Sequence, residues 1–232
     1  MKKIISGIFI LLFSALAFSK GYKITYKVYV SGSDKPFTEE ITLCDNWLII
    51  SIDKDRYYLF QNKKGYLVNK KKKTAVEYDL IRNMPFFSAF IAPYGITTND
   101  GTIIFPQLIF KKTKKTAKIN KLLCRKYELP GNYLNSKSIA WFSEKKLRYD
   151  GKVFAKYLSF FTTSRSLIEQ AKRLNSLPVK LETFLEGGLV KDANIRVLDK
   201  IREINCVKDR ISLPKDYKII KAKPQGIPAA AM

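Results

Sequence analysis

From Tyr22 onward, apolar and polar residues alternate: Tyr22, Ile24, Tyr26, Val28 and Val30 fall on one side, and Lys23, Thr25 and Lys27 on the other. A period of two is that of a strand covered on one face. The turn-forming stretch Ser31–Pro36 follows, after which Phe37, Glu39, Ile41 and Leu43 share a face, so the two runs predict an antiparallel hairpin. Four further short runs, Trp47–Ile52, Arg56–Phe60, Tyr66–Asn69 and Thr74–Tyr78, are separated by the polar turns Asp53–Asp55, Asn62–Gly65 and Lys70–Lys73. Short strands joined this way predict a meander.

After Asp79 the period lengthens. Leu80, Met84, Phe87 and Ile91, with Phe86 and Phe90 widening the stripe, predict a short apolar helix that ends by Pro93 and Gly95. Thr102–Phe110 and Lys118–Leu129 then read as strands around a basic turn, Lys111–Lys115, and Lys137–Phe142 as another strand with Ile139 and Trp141 on one face. Residues 152–175 read as helix in two pieces, because Thr162–Ser164 make a poor helix interior and Ser166–Glu169 fits a capping box. Pro178–Leu185, Asn194–Glu203 and Arg210–Leu213 read as closing strands. With no internal repeat and no long linker, residues 20–220 form one domain of α+β class, mainly antiparallel β, followed by a Pro- and Ala-rich tail over 221–232.

The N-terminus sets the expected compartment. Met1–Lys3 is a basic head, Ile4–Phe18 an uncharged apolar run, and Ala17 and Ser19 place small residues at the −3 and −1 positions of a cleavage site. This is the layout of a secretory signal peptide over residues 1–19, cleaved after Ser19, and the run is short of the roughly twenty residues a membrane-spanning helix needs. A soluble periplasmic protein is the expectation. The chain carries 43 Lys and Arg against 20 Asp and Glu, a formal charge of +23. In an exported space that charge faces lipid headgroups and envelope glycolipids, so an anionic membrane surface is an expected partner and nucleic acid is not.

Histidine is absent from all 232 residues, which removes the commonest general base and metal ligand and every Ser-His or Cys-His mechanism. Cys44, Cys124 and Cys206 allow at most one internal disulfide, and the pairing is open at this level; their spacing matches no zinc signature. Glu39, Glu40, Asp53, Asp55 and Glu77 form no paired-carboxylate motif, and salt bridges to the abundant lysines are their expected role. Cys124 as a nucleophile would have only lysine or arginine to activate it. No catalytic residue, metal site or cofactor is expected.

The meander with Tyr57–Phe60 and Tyr66–Asn69, the segment Cys124–Tyr127 followed by Ile139–Phe142, Leu177–Val179 before a strand, and Leu213–Lys218 near the end together span nearly the whole mature chain. This order of elements resembles the LolA/LolB-like superfamily of periplasmic lipoprotein carriers, and more closely a bacterial branch whose domain has no assigned function. The resemblance implies a strongly curved, incomplete antiparallel barrel with helices covering its concave face and acyl chains held in the hollow. The segments near Met84–Phe90 and Phe154–Phe161 would then be plug or lid.

Two function classes follow. The first is a non-enzymatic binding or carrier protein that holds a lipid, acyl chain or acylated protein in an apolar groove, with basic turns orienting an anionic headgroup. Its expected lining is Tyr26, Val28, Tyr58, Phe60, Phe87, Phe90, Phe105, Phe110, Trp141 and Phe161. The second is an envelope scaffold that docks through its basic surface on anionic membrane or a partner protein.

Overall fold

The computed structural model describes residues 18–62, 64–79, 96–97, 103–104, 110–130, 137–160, 165–185, 192–207, 211 and 213–221. The alternating N-terminal runs form β1 (Phe18–Val30) and β2 (Phe37–Leu43), and the meander forms β3 (Trp47–Ser51), β4 (Arg56–Gln61), β5 (Lys64–Asn69) and β6 (Thr74–Asp79). A two-residue pair, β7 (Ile96–Thr97) and β8 (Ile103–Ile104), makes a separate small sheet. Then come β9 (Lys111–Ile119), β10 (Leu122–Pro130), β11 (Lys137–Ser143), helices α1 (Gly151–Leu158) and α2 (Arg165–Lys172), and β12 (Lys180–Leu185), β13 (Asp192–Val207) and β14 (Lys218–Lys221).

Twelve strands make one open sheet in the order β14-β6-β5-β4-β3-β2-β1-β13-β12-β11-β10-β9. Every pairing is antiparallel except β14 on β6. A curved sheet fits this arrangement: the Asn120 amide, at the tip of the β9–β10 hairpin, donates to the Leu198 carbonyl of β13 at 2.7 Å, although β12 and β11 intervene between β13 and the hairpin in the order. The fold is mainly antiparallel β, as the hydrophobic pattern predicts, with two short helices among the described residues.

Strand alternation creates two apolar faces. On one, Ile24, Val28, Ile41, Leu43, Leu48, Ile50, Phe60, Ala140 and Phe142 are buried beneath Val153, Phe154 and Leu158 of α1 and Leu167 of α2. Each large aliphatic or aromatic side chain among them contributes about 1.5–3 kcal/mol on leaving water. Asp150 caps α1, its carboxylate accepting from the Lys152 N–H at 3.0 Å, and Lys156 lies in the last turn, where a cation suits the helix dipole. A Cβ on Gly151 would stand 1.9 Å from the Ala171 carbonyl, so glycine lets the start of α1 lie against the end of α2.

On the opposite face Trp47, Leu59, Val68 and Ala75 are buried with Cys44 and Cys206, beneath Ile211, Leu213 and Tyr217 of the segment leading to β14. Gln61 donates to the Ile211 carbonyl at 2.9 Å and holds this cover down. Cys44 and Cys206 are disulfide-bonded across 162 residues. Cys44 follows β2 and Cys206 belongs to β13, the two neighbours of β1, so the bridge passes over β1 at Gly21. A Cβ there would lie 2.0 Å from the Cys206 sulfur and 2.8 Å from the Leu43 carbonyl. Glycine inside a strand marks this close approach.

Several expectations are corrected. Lys111–Lys115 is not a turn but the first half of β9; the turn is Asn120–Lys121, with φ of 47° and 64°. Two left-handed residues match the right-handed twist of a hairpin, and the predicted strand Lys118–Leu129 spans this turn. An edge strand need not bury an apolar face, which is why a Lys- and Thr-rich run forms one here. Ile211 and Leu213 lie outside any strand and pack on the second face, while β14 crosses the predicted domain end at 220 and pairs with β6 as far as Lys221. Ser166 lies within α2 rather than at its cap, because the helix begins at Arg165. β1 includes Phe18 and Ser19, which pair with Val207 and Cys206. The predicted helix over 80–91 and the tail beyond 221 lie outside the described residues.

Candidate ligand-binding site

Beneath α1 the helix-covered face changes character. In the β1–β2 register Tyr26 stands opposite Glu39, and on the other side of β1 Val28 stands opposite Arg196 of β13. Glu39 and Arg196 therefore flank β1 and meet over it: Arg196 Nε donates to Glu39 Oε2 at 3.0 Å and Nη2 to Oε1 at 3.3 Å. The Arg196 and Glu39 side chains are 8% and 6% exposed. A charge pair this dry is held by its own bidentate geometry, since either partner alone would carry a large desolvation cost.

Tyr26 donates to the Pro178 carbonyl at 3.1 Å, tying β1 to the turn before β12. Ile24, Ile41, Phe154, Tyr157, Leu177, Pro178 and Leu181 complete a pocket around this polar floor. Its volume is about 20 Å³, room for about one water molecule. Phe154 and Tyr157 of α1 fill the space above. A rim contact fixes the helix from outside: Lys156 Nζ lies 2.6 Å from Asp45 and 5.8 Å from the centre of the Tyr22 ring.

The electrostatics follow from dryness. Burial pushes the Tyr26 phenol far above its ordinary range, and burial followed by the charge of Glu39 does the same for Tyr157. Burial pulls the Arg196 guanidinium down, but the charge and hydrogen bonds of Glu39 more than offset it, so it stays ionised. Neither phenol nor the guanidinium exchanges a proton near neutrality. The cluster sets a dry ion pair and two phenols among otherwise apolar walls.

Of the expected lining, Tyr26, Val28, Tyr58, Phe60 and Phe110 do come together on this face. Phe110 packs edge-on to Phe142 at 5.8 Å and lies 5.9 Å from Phe154, so it joins the packed interior rather than a groove. Trp141 is corrected: it alternates with Ala140 and Phe142 and faces the other way, half-buried, its indole N–H donating to Glu182 at 3.2 Å. Phe87, Phe90, Phe105 and Phe161 lie outside the described residues. Glu39 is corrected too, from a surface partner of lysine to a buried partner of Arg196; its place between Phe37 and Ile41 on the inward parity was the legible signal. Arg196 carried none, and Tyr157, Leu177 and Pro178 were singled out only as parts of longer segments, since their convergence depends on the β1–β13 pairing and the docking of α1.

Glu40 and Glu77 take the expected role, pairing with Lys23 at 2.6 Å and Lys64 at 3.0 Å, while Asp53 pairs with Arg56 at 2.7 Å rather than with a lysine. Cys124 is buried with its thiol pushed up by that burial, the reverse of an activated nucleophile. Among the described residues no three His, Cys, Asp or Glu side chains converge as metal ligands, and no helix is long and apolar enough to cross a membrane.

No protein family and no curated protein matches the chain. Among solved structures it is similar to PNGF-II in its C2 crystal form, at 16% identity and a TM-score of 0.35, over 88% of this chain. The chain spans 31% of the length of that protein. It is also similar to an uncharacterised conserved protein from Thermus thermophilus, at 6% identity and a TM-score of 0.46, over 89% of this chain and 93% of the other.

Proposed function

We propose that the protein is a non-enzymatic binding protein of the cell envelope that takes an apolar, polar-headed ligand between α1 and the sheet. The observation that carries this is the pocket itself: apolar walls from three strands, a turn and a helix, closed at one end by Glu39, Arg196 and Tyr26. At about 20 Å³ it is a starting point and not a finished cavity, so an acyl chain would enter by displacing Phe154 and Tyr157. α1 is only eight residues long, and a helix that short depends on its docking contacts for stability. Each methylene buried in place of those rings contributes about 0.8 kcal/mol. The disulfide supports an oxidising compartment, consistent with the signal-like N-terminus and the resemblance to periplasmic lipoprotein carriers.

Two measurements test this reading. Lipids extracted from natively purified protein should include a stoichiometric acyl-bearing species by mass spectrometry. A naturally fluorescent polyene fatty acid should bind the delipidated protein, and Ile41→Trp, which fills the slot, should weaken that binding at least about tenfold while keeping the fold. A protein that carries no lipid and leaves the probe dark would end the proposal.

A further inference from the structure

The β9–β10 hairpin lies at the free edge of the sheet, away from the pocket's walls, and its chemistry is of another kind. β9 closes one end of the strand order, and among the described residues no strand covers its outer side. Lys111, Lys112, Lys114, Lys115, Lys118 and Lys121 are all exposed along it and at its turn. None of the six makes an ion pair among the described residues, unlike Lys23, Lys64 and Lys156. The nearby acids are already committed: Glu128 to Lys126 at 2.7 Å, and Glu144, just past β11, to Arg125 at 2.5 Å. A lysine or two suffices to discourage unwanted edge pairing. Six are far more than that task requires.

The tip adds an apolar element. Leu123 is 56% exposed and stands directly opposite Lys118 in the hairpin. Ile119 and Leu122 beside it are half-buried. The hairpin is also stiff. Thr113 holds the irregularity in its middle: its hydroxyl donates to the Lys126 carbonyl at 3.0 Å, and the Arg125 guanidinium donates to the Thr113 carbonyl at 3.3 Å. Asn120 pins the turn to β13. A fixed ribbon about 30 Å long, basic along its edge and apolar at its tip, is thus presented to the surroundings.

We propose that this hairpin docks edge-on onto an anionic lipid bilayer, its lysines over the headgroups and Leu123 among the upper carbons of the acyl chains. Exposed lysines are compact point charges suited to a diffuse negative surface, whereas nucleic acid favours arginine forks and aromatic platforms that this edge does not present. An acidic protein would satisfy the lysines but gives no reason for a bare leucine between them. A bilayer satisfies both.

The experiment is sedimentation of the protein with vesicles of phosphatidylcholine containing phosphatidylglycerol, against phosphatidylcholine alone, over a salt series. The protein should partition onto the anionic vesicles and be released as salt rises. Lys114→Gln, Lys115→Gln and Lys118→Gln combined should weaken partition on the order of a hundredfold, at about fivefold per lysine. Leu123→Ser should weaken it about tenfold, and this loss should persist in high salt, where the lysine effect fades. All substituted positions are exposed, and unchanged thermal midpoints confirm folding.

Equal partition onto neutral and anionic vesicles would overturn the proposal. So would an equal loss on replacing Lys54, Lys71 and Lys72 of the meander turns, or Leu123→Ser binding as well as wild type. Capture of the protein by polyglutamate but not by anionic vesicles would identify an acidic protein as the partner and overturn it too. Fatty-acid probe binding should be untouched by the hairpin variants, so this proposal and the pocket reading can fail separately.

Discussion

On the helix-covered face of the sheet, closure comes from interlocking side chains, Phe154 and Leu158 of α1 over Ile24, Ile41 and Phe142, with one ionic group sealed among them. On the opposite face closure is by chain connection: a disulfide over β1 and a C-terminal segment laid across Leu59 and Val68. The first kind of cover is short and non-covalent and lies over a pocket; the second is tied by a covalent bridge and by the pairing of β14 with β6. This locates where the molecule can open. On the proposed function, the face held by an eight-residue helix is the one that exchanges side chains for a ligand, and the face held by a covalent bridge stays closed.

The most direct challenge to that division is to cut the bridge. Cys44→Ser with Cys206→Ser releases a loop of 162 residues and should cost about 4–5 kcal/mol, read as a lower urea midpoint than the oxidised wild type. Fatty-acid probe binding, measured where the variant is folded, should be retained. Loss of the probe site with little loss of stability would reverse the roles assigned to the two faces.

Next is the ionic group. Arg196→Met leaves Glu39 buried without its partner and should destabilise by about 3–5 kcal/mol in urea unfolding. Glu39→Leu combined with Arg196→Met should recover most of that, since a packed apolar pair can replace a buried ionic one. Failure of the double variant to recover would show that the pair organises the floor of the pocket rather than merely neutralising itself.

The smallest effect is confined to one face by pH. Tyr26 and Tyr157 have folded pKa values raised above the 10.0 of a free phenol, chiefly by burial. A raised folded value contributes stability that is present below pH 10 and lost as pH rises through and beyond it, because only the unfolded chain releases those protons. Alkaline unfolding followed by phenolate absorbance should therefore show these two rings ionising together with unfolding. Tyr26→Phe removes the bond to Pro178, costs about 1 kcal/mol at neutral pH and should blunt the alkaline transition. Phenolate absorbance rising before unfolding would show a wetter pocket than the one described.

Much of the sheet was legible beforehand because period-two alternation is a local property. β1 to β6 follow the apolar runs almost residue for residue, and the inward face of β1 and β2 was readable from Tyr22, Ile24, Ile41 and Leu43 alone. The β9 error has the same origin: alternation signals a strand only where one face is buried, and an edge strand with lysines on both faces has no such signal. Less of the site was legible: of the expected lining among the described residues only Tyr26 borders the pocket, Val28, Tyr58 and Phe60 share its face, and Trp141 was grouped with Ile139 in a strand whose apolar residues fall on both faces.

Local pattern and composition were enough for the class of fold, the inward parity of the first strands, the absence of histidine chemistry and the strongly positive charge. Each of these depends on residue counts or on neighbours a few positions apart. Only the assembled sheet shows which cysteines bond, that Gly21 lies beneath their bridge, that Glu39 meets Arg196 157 residues later, and that six lysines line one free edge. Those facts arise where β1 comes to lie between β2 and β13, and where β9 is left outermost. Pairing between distant strands is set by the packing of the whole sheet, and no local period encodes it.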